Sequence, residues 1–140
     1  MTGAAPPIVL ASGSPRRREL LERLGLRFVV EPPRGEEDPP VPGEDPNVYT
    51  ERISAAKAAG VAARRPDALV LAADTIVVLD GDVLGKPGDA AAARAMLARL
   101  SGREHAVHTG VTVIAPGGAR ATGTEVTRVR FRTLEPAEID

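Results

Sequence analysis

Apolar and polar positions change their period several times along the 140-residue chain, and each change marks an element. Ile8 to Leu10 is a short apolar run that predicts a strand, followed by a small-residue turn from Ala11 to Ser14. Ser14 reads as an N-cap and Pro15 as the first residue of a helix to about Leu24, stopped by Gly25 at the C′ position. Phe28 to Val30 predicts a second strand. Glu31 to Asp45 is rich in proline, glycine and acid, so it predicts a surface loop. Asp45 caps a helix that Pro46 opens and that runs to about Ala63, with Lys57 interrupting the apolar row Tyr49, Ile53, Val61.

Ala68 to Ala73 predicts a buried strand delivering Asp74 and Thr75 at its end, with Ile76 to Leu79 continuing beyond them. Asp80 and Gly81 supply a turn, and Val83 and Leu84 pair back. A helix is expected from about Asp89 to Leu100, with Ala93, Met96, Leu97 and Leu100 as its inner face. His108 to Ile114 and Thr124 to Arg132 alternate as strands around the Pro116, Gly117, Gly118 turn. Thr133 to Asp140 starts a helix that is not completed, which predicts a C-terminally truncated polypeptide. The whole reads as one α/β domain, residues 1–140, with a mixed sheet.

Composition narrows the partners. Apolar residues are 43% and charged residues 26%, enough for a core. A formal net charge of −1 with the signs interspersed gives no long-range field for nucleic acid or a membrane surface. Neither is expected as a partner. There is no cysteine, no apolar run of bilayer length and no leader pattern, which together predict a cytoplasmic protein. Aromatics are only 2%, so a base would be read by polar and backbone groups rather than by ring stacking. Of 18 basic residues only Lys57 and Lys86 are lysines, positions where a compact ammonium suits a phosphate.

The candidate chemistry starts at the first helix. Arg16, Arg17 and Arg18 crowd its positive end. Arg18 has Glu22 one turn on, whereas Arg16 and Arg17 precede Leu20 and Leu21 and are expected to point inward. With the Ser12 and Ser14 hydroxyls and the helix amides they make a phosphate site. The plainer alternative is that both arginines snorkel to carboxylates elsewhere. Glu36, Glu37 and Asp74 supply carboxylates for Mg²⁺ or Mn²⁺ or for a water, although Asp74 alone could merely cap a turn. Basic groups for phosphates beside acids for a metal fit cleavage of a nucleoside triphosphate. His105 and His108 lie three residues apart without an acid cluster, so no zinc site is expected and His105 reads as bracing the turn before the Thr109 strand.

Five ordered runs then carry a family resemblance: Leu10 to Arg17, Glu51 to Ala58, Ala72 to Val78, Leu84 to Pro87, and Leu100 to His105 followed by Thr109, Gly110 and Val111. The chain resembles the Maf family of nucleoside triphosphate pyrophosphatases over about residues 8–140. The resemblance implies a two-lobed Maf-like (inosine-triphosphatase-like) α/β fold around an elongated mixed sheet, with the nucleotide in a central cleft. It implies that Asp74 accepts the proton of the attacking water, that Glu37 and Asp74 hold the divalent metal, and that Ser12, Ser14, Arg17, Lys57 and Lys86 hold the triphosphate. Arg16 and Thr75 match positions linked to base choice, and Ala73, Asp74, Thr75 look like the branch acting on dTTP and UTP. Water would attack the α-phosphorus, releasing a nucleoside monophosphate and pyrophosphate. A homodimer enters by family analogy alone. The other readings are a division-related regulator that binds nucleotides without turnover, and a metal-dependent sugar phosphatase.

Overall fold

The computed structural model describes residues 5–35, 37–84 and 88–139. In chain order the elements are β1 (Ile8–Leu10), α1 (Pro15–Arg23), β2 (Val29–Val30), α2 (Pro46–Arg64), β3 (Leu69–Leu79), β4 (Asp82–Leu84), α3 (Ala90–Leu100), β5 (Glu104–Ile114), β6 (Arg120–Arg130) and α4 (Pro136–Ile139). The helix starts follow from their caps. The Ser14 side chain accepts from the Arg17 N–H, Asp45 from Asn47 and Val48, and Asp89 from Ala92. Gly25 ends the first helix in the left-handed region at φ 75°.

The sheet is mixed, as expected, with strand order β2-β1-β3-β5-β6 and β4 pairing β3 off that path. β1 runs parallel to β2 and β3, while β5 is antiparallel to β3 and β6. One expectation is corrected here. Asp74 and Thr75 do not end a strand; they sit inside a continuous 11-residue β3, held by the ladder that pairs Asp74 with Gly110 and Thr75 with Thr109. An aspartate is a poor strand former, but nine consecutive register pairs with β5 override local preference. β5 and β6 likewise start four residues earlier than the alternation predicted.

The core lies between the sheet and α2, where Val9, Ala58, Val61, Val70, Ala72 and Ile114 are buried. Ser54 Oγ and Thr112 Oγ1 hydrogen-bond within it at 2.8 Å. Contact is close because β5 carries glycine where α2 crosses: a Cβ on Gly110 would stand 2.5 Å from the Thr50 carbonyl carbon and oxygen. On the other face Leu10, Leu71, Ala73, Val107, Thr109 and Val111 line a cleft of about 880 Å³ beside α1.

Candidate active site

The site lies at a gap in the sheet edge. β1 pairs with β3 only as far as Leu71, and β4 takes over at Val77, so residues 72–76 of β3 have neither strand beside them on that edge. The turn after β1 docks there, its Ala11 N–H donating to the Leu71 carbonyl at 2.8 Å. Parallel strands that stop at such a point expose their carboxyl ends and the following helix N-terminus to a common crevice. Strand alternation then divides the two neighbours: Asp74 faces α2, whereas Thr75 faces the cleft beside α1.

Arg17 joins the two sides. Its Nη1 donates to Ser12 Oγ at 3.2 Å and its Nη2 to Thr75 Oγ1 at 3.1 Å. Opposite, the Lys57 ammonium on α2 lies 2.5 Å from Glu37 Oε1 and 3.3 Å from Asp74 Oδ1. Lysine in an apolar row is thereby explained, since Lys57 balances two carboxylates. Asp74 is only 4% exposed, and its Oδ2 is buried with no hydrogen-bond partner. Lys57 thus fixes one oxygen of Asp74 and leaves the other for a ligand. A cleft of about 640 Å³ connects Ser12, Ser14, Arg17, Glu37 and Lys57.

Burial pushes the Asp74 carboxyl above its ordinary value of 3.8, with Lys57 opposing the shift and Glu37 adding to it. Burial also lowers the Arg17 guanidinium from its ordinary value, against the pull of Asp74 and Glu37. A raised carboxyl and a desolvated arginine that feel each other's charge mark a candidate functional site.

The loop carrying Glu37 is fastened along α2. Glu31 accepts from Arg64 at 2.8 Å and from Arg65 at 3.0 Å, the Tyr49 hydroxyl donates to the Asp38 carbonyl at 2.8 Å, and Arg52 grips both Glu44 oxygens at 3.0 Å. The donor set suits a hard divalent cation. Asp74 offers an unpartnered oxygen and Glu37 a second carboxylate, and Mg²⁺ is commonly held by one or two carboxylates together with substrate phosphates. Among the described residues no group of three or more acids or histidines forms a self-sufficient metal cage.

The structure therefore brings together Ser12, Ser14, Arg17, Glu37, Lys57, Asp74 and Thr75. Lys86, expected on the phosphates, and Glu36 lie outside the described residues. Arg16 is corrected: it is exposed rather than inward, and Leu20 one turn on is 53% exposed, because the buried stripe of α1 passes through Arg17 and Leu21 instead. Arg16 still borders the cleft beside α1. His105 does not brace a turn; it is buried within β5, edge-on to Phe131 at 4.9 Å. His108 points to the opposite face, its Nδ1 2.6 Å from Asn47 Oδ1. Two residues were missed. Arg64 lines the same cleft as Ser12, Arg17 and Lys57, and its spacing of seven from Lys57 on one helix is a usable signal. Thr109 was quoted only as part of a run, yet its hydroxyl lies 3.1 Å from that of Thr75.

The chain is similar in sequence and in fold to known proteins. The profile of the family described as Maf-like protein matches residues 7–140. The chain is 50% identical over 126 residues to a dTTP/UTP pyrophosphatase of Nitratidesulfovibrio vulgaris, covering 90% of this chain and 60% of the relative. It is 52% identical over 139 residues to a dTTP/UTP pyrophosphatase of Moorella thermoacetica, covering 95% and 69%. The chain thus spans about 60% to 70% of the length of these curated relatives. The fold is similar to that of a nucleoside-triphosphatase, dITP/XTP pyrophosphatase, from Mycobacterium abscessus, with a TM-score of 0.54 and 21% identity over 87% of this chain and 71% of that one.

Proposed function

The chain belongs to the Maf family, and from that premise we propose that it hydrolyses nucleoside triphosphates, dTTP and UTP foremost, to the monophosphate and pyrophosphate. The observation that supports this reading most is the pair of contact chains, Ser12 to Thr75 through Arg17 and Glu37 to Asp74 through Lys57, with an Asp74 oxygen left unpartnered. Asp74 Oδ2 accepts the proton of a water attacking the α-phosphorus, and its raised affinity for a proton suits that task. Ser12, Ser14 and Arg17 hold the triphosphate at the start of α1, with Lys57 opposite and Lys86 as a further phosphate-binding residue, while Arg16 and Thr75 face the base. Asp74 and Glu37 are the residues that would hold Mg²⁺ or Mn²⁺, which when bound neutralises charge on the phosphate oxygens. No helix among the described residues is long and apolar enough to cross a membrane.

The test is pyrophosphate release from UTP, dTTP, CTP and 7-methyl-GTP with Mg²⁺ or Mn²⁺, run on the chain beside Asp74→Asn with folding of both checked by circular dichroism. Release from UTP and dTTP that vanishes in the variant is the expected result. A folded chain that binds UTP without releasing pyrophosphate would replace this reading with a nucleotide-binding regulator. Release of orthophosphate from sugar phosphates would instead identify a phosphatase.

A further inference from the structure

Among the described residues Arg17 is the cation of the crevice held by hydroxyls rather than by carboxylates, and those hydroxyls form a line: Ser12 Oγ to Arg17 at 3.2 Å, Arg17 to Thr75 Oγ1 at 3.1 Å, and Thr75 Oγ1 to Thr109 Oγ1 at 3.1 Å. A guanidinium only donates, so Thr75 Oγ1 accepts from Arg17. That leaves Thr75 one proton and one lone pair with which to meet Thr109. Thr75 and Thr109 are directly opposed in the β3–β5 ladder, on the face that lines the cleft beside α1. Two anchor points at Nη1 and Nη2 fix the plane of the guanidinium, and one of those anchors is itself fixed by Thr109.

We propose that Thr109 is a positioning residue for the triphosphate site, locking the Thr75 hydroxyl in the rotamer that aims Arg17 across the crevice. Thr109 does not touch the phosphates; it acts through Thr75. Without its partner the Thr75 hydroxyl is free to turn toward solvent, because Thr75 is exposed. Arg17 then keeps Ser12 alone and swings about that single contact.

This inference rests on the triphosphate-hydrolase reading, and its test separates the two. Thr109→Val keeps the shape and removes the hydroxyl, while Thr109→Ser keeps the hydroxyl. With UTP, Thr109→Val is expected to raise KM about two- to tenfold, the net worth of one hydrogen bond, with kcat within about twofold, and Thr109→Ser to restore the parent KM. In an Arg17→Ala background Thr109→Val should add less than about twofold, because the residue it orients is gone. Equal impairment by Val and Ser, or a full additional effect without Arg17, would overturn the proposal. If the chain hydrolyses nothing, the parent and the same four variants are titrated with α,β-methylene-UTP by calorimetry. The Kd pattern then decides the role of Thr109 while the hydrolase reading fails separately.

Discussion

Replacing Gly110 by alanine tests whether the site depends on how closely α2 approaches the sheet. The added Cβ would lie 2.5 Å from the Thr50 carbonyl carbon and oxygen and 2.9 Å from the Glu51 nitrogen. Comfortable contact needs about 3.5 to 4.0 Å, so the helix must retreat by roughly 1 Å, and backbone cannot rotate out of the way as a side chain can. Overpacking of this kind costs about 1 to 3 kcal/mol. For a chain of this length that corresponds to a melting point lower by about 3 to 10 °C. The same retreat carries Lys57, two turns along α2, away from Asp74, which pairs with Gly110 across the ladder. A 1 Å misplacement at a reacting centre can lower rates about 100-fold, so turnover is expected to fall more than stability does. Thermal melts followed by circular dichroism, beside pyrophosphate release from UTP, read both effects. Gly123→Ala is the control, since a Cβ there meets nothing within 4 Å. A Gly110→Ala protein that melts within 1 °C of the parent and keeps its kcat/KM would refute the close-approach argument.

Three further outcomes are expected. Asp74→Asn abolishes turnover yet raises the melting point at pH 7. The folded carboxyl sits above 3.8, so the native state binds the proton more tightly, stability falls as pH rises through that window, and asparagine removes the loss; the gain should disappear in melts below about pH 3.8. A melting point that drops at pH 7 contradicts this sign. The acid limb of kcat/KM should lie above pH 3.8 and vanish with Asp74 alone; a pH-independent rate down to pH 4 would show that Asp74 is not the proton acceptor. Arg17→Ala and Lys86→Ala should chiefly raise KM for UTP, and if both leave the kinetics unchanged the phosphates are held elsewhere.

Local rules carried the caps, the turns and the strand and helix sequence, because each is decided by residues a few positions apart. Ser14, Pro15 and Gly25 frame α1 as their chemistry requires, whereas Lys57, expected on a phosphate, is paired with Glu37 and Asp74, partners that its apolar row does not name. What local rules could not reach was pairing across the sheet. Asp74 read as a strand end because aspartate disfavours strands, while the β5 ladder that holds it comes from residues more than 30 positions away. The same ladder hid Thr109, whose meaning exists only opposite Thr75. Arg16 and Arg17 are indistinguishable by spacing, and only the face that α1 buries, through Arg17 and Leu21, separates them.

The fastening of the Glu37 loop along α2 makes that segment a replaceable handle. Glu31, Glu37, Asp38 and Glu44 are each tied to the helix, so the short stretch between Pro40 and Gly43 bridges two anchored points and carries none of the ties to it. A fluorophore or short peptide grafted at exposed Pro42 would extend from the loop that carries Glu37 without replacing any residue that ties it to α2. The fold thus offers a ready attachment point for an optical sensor of nucleotide occupancy.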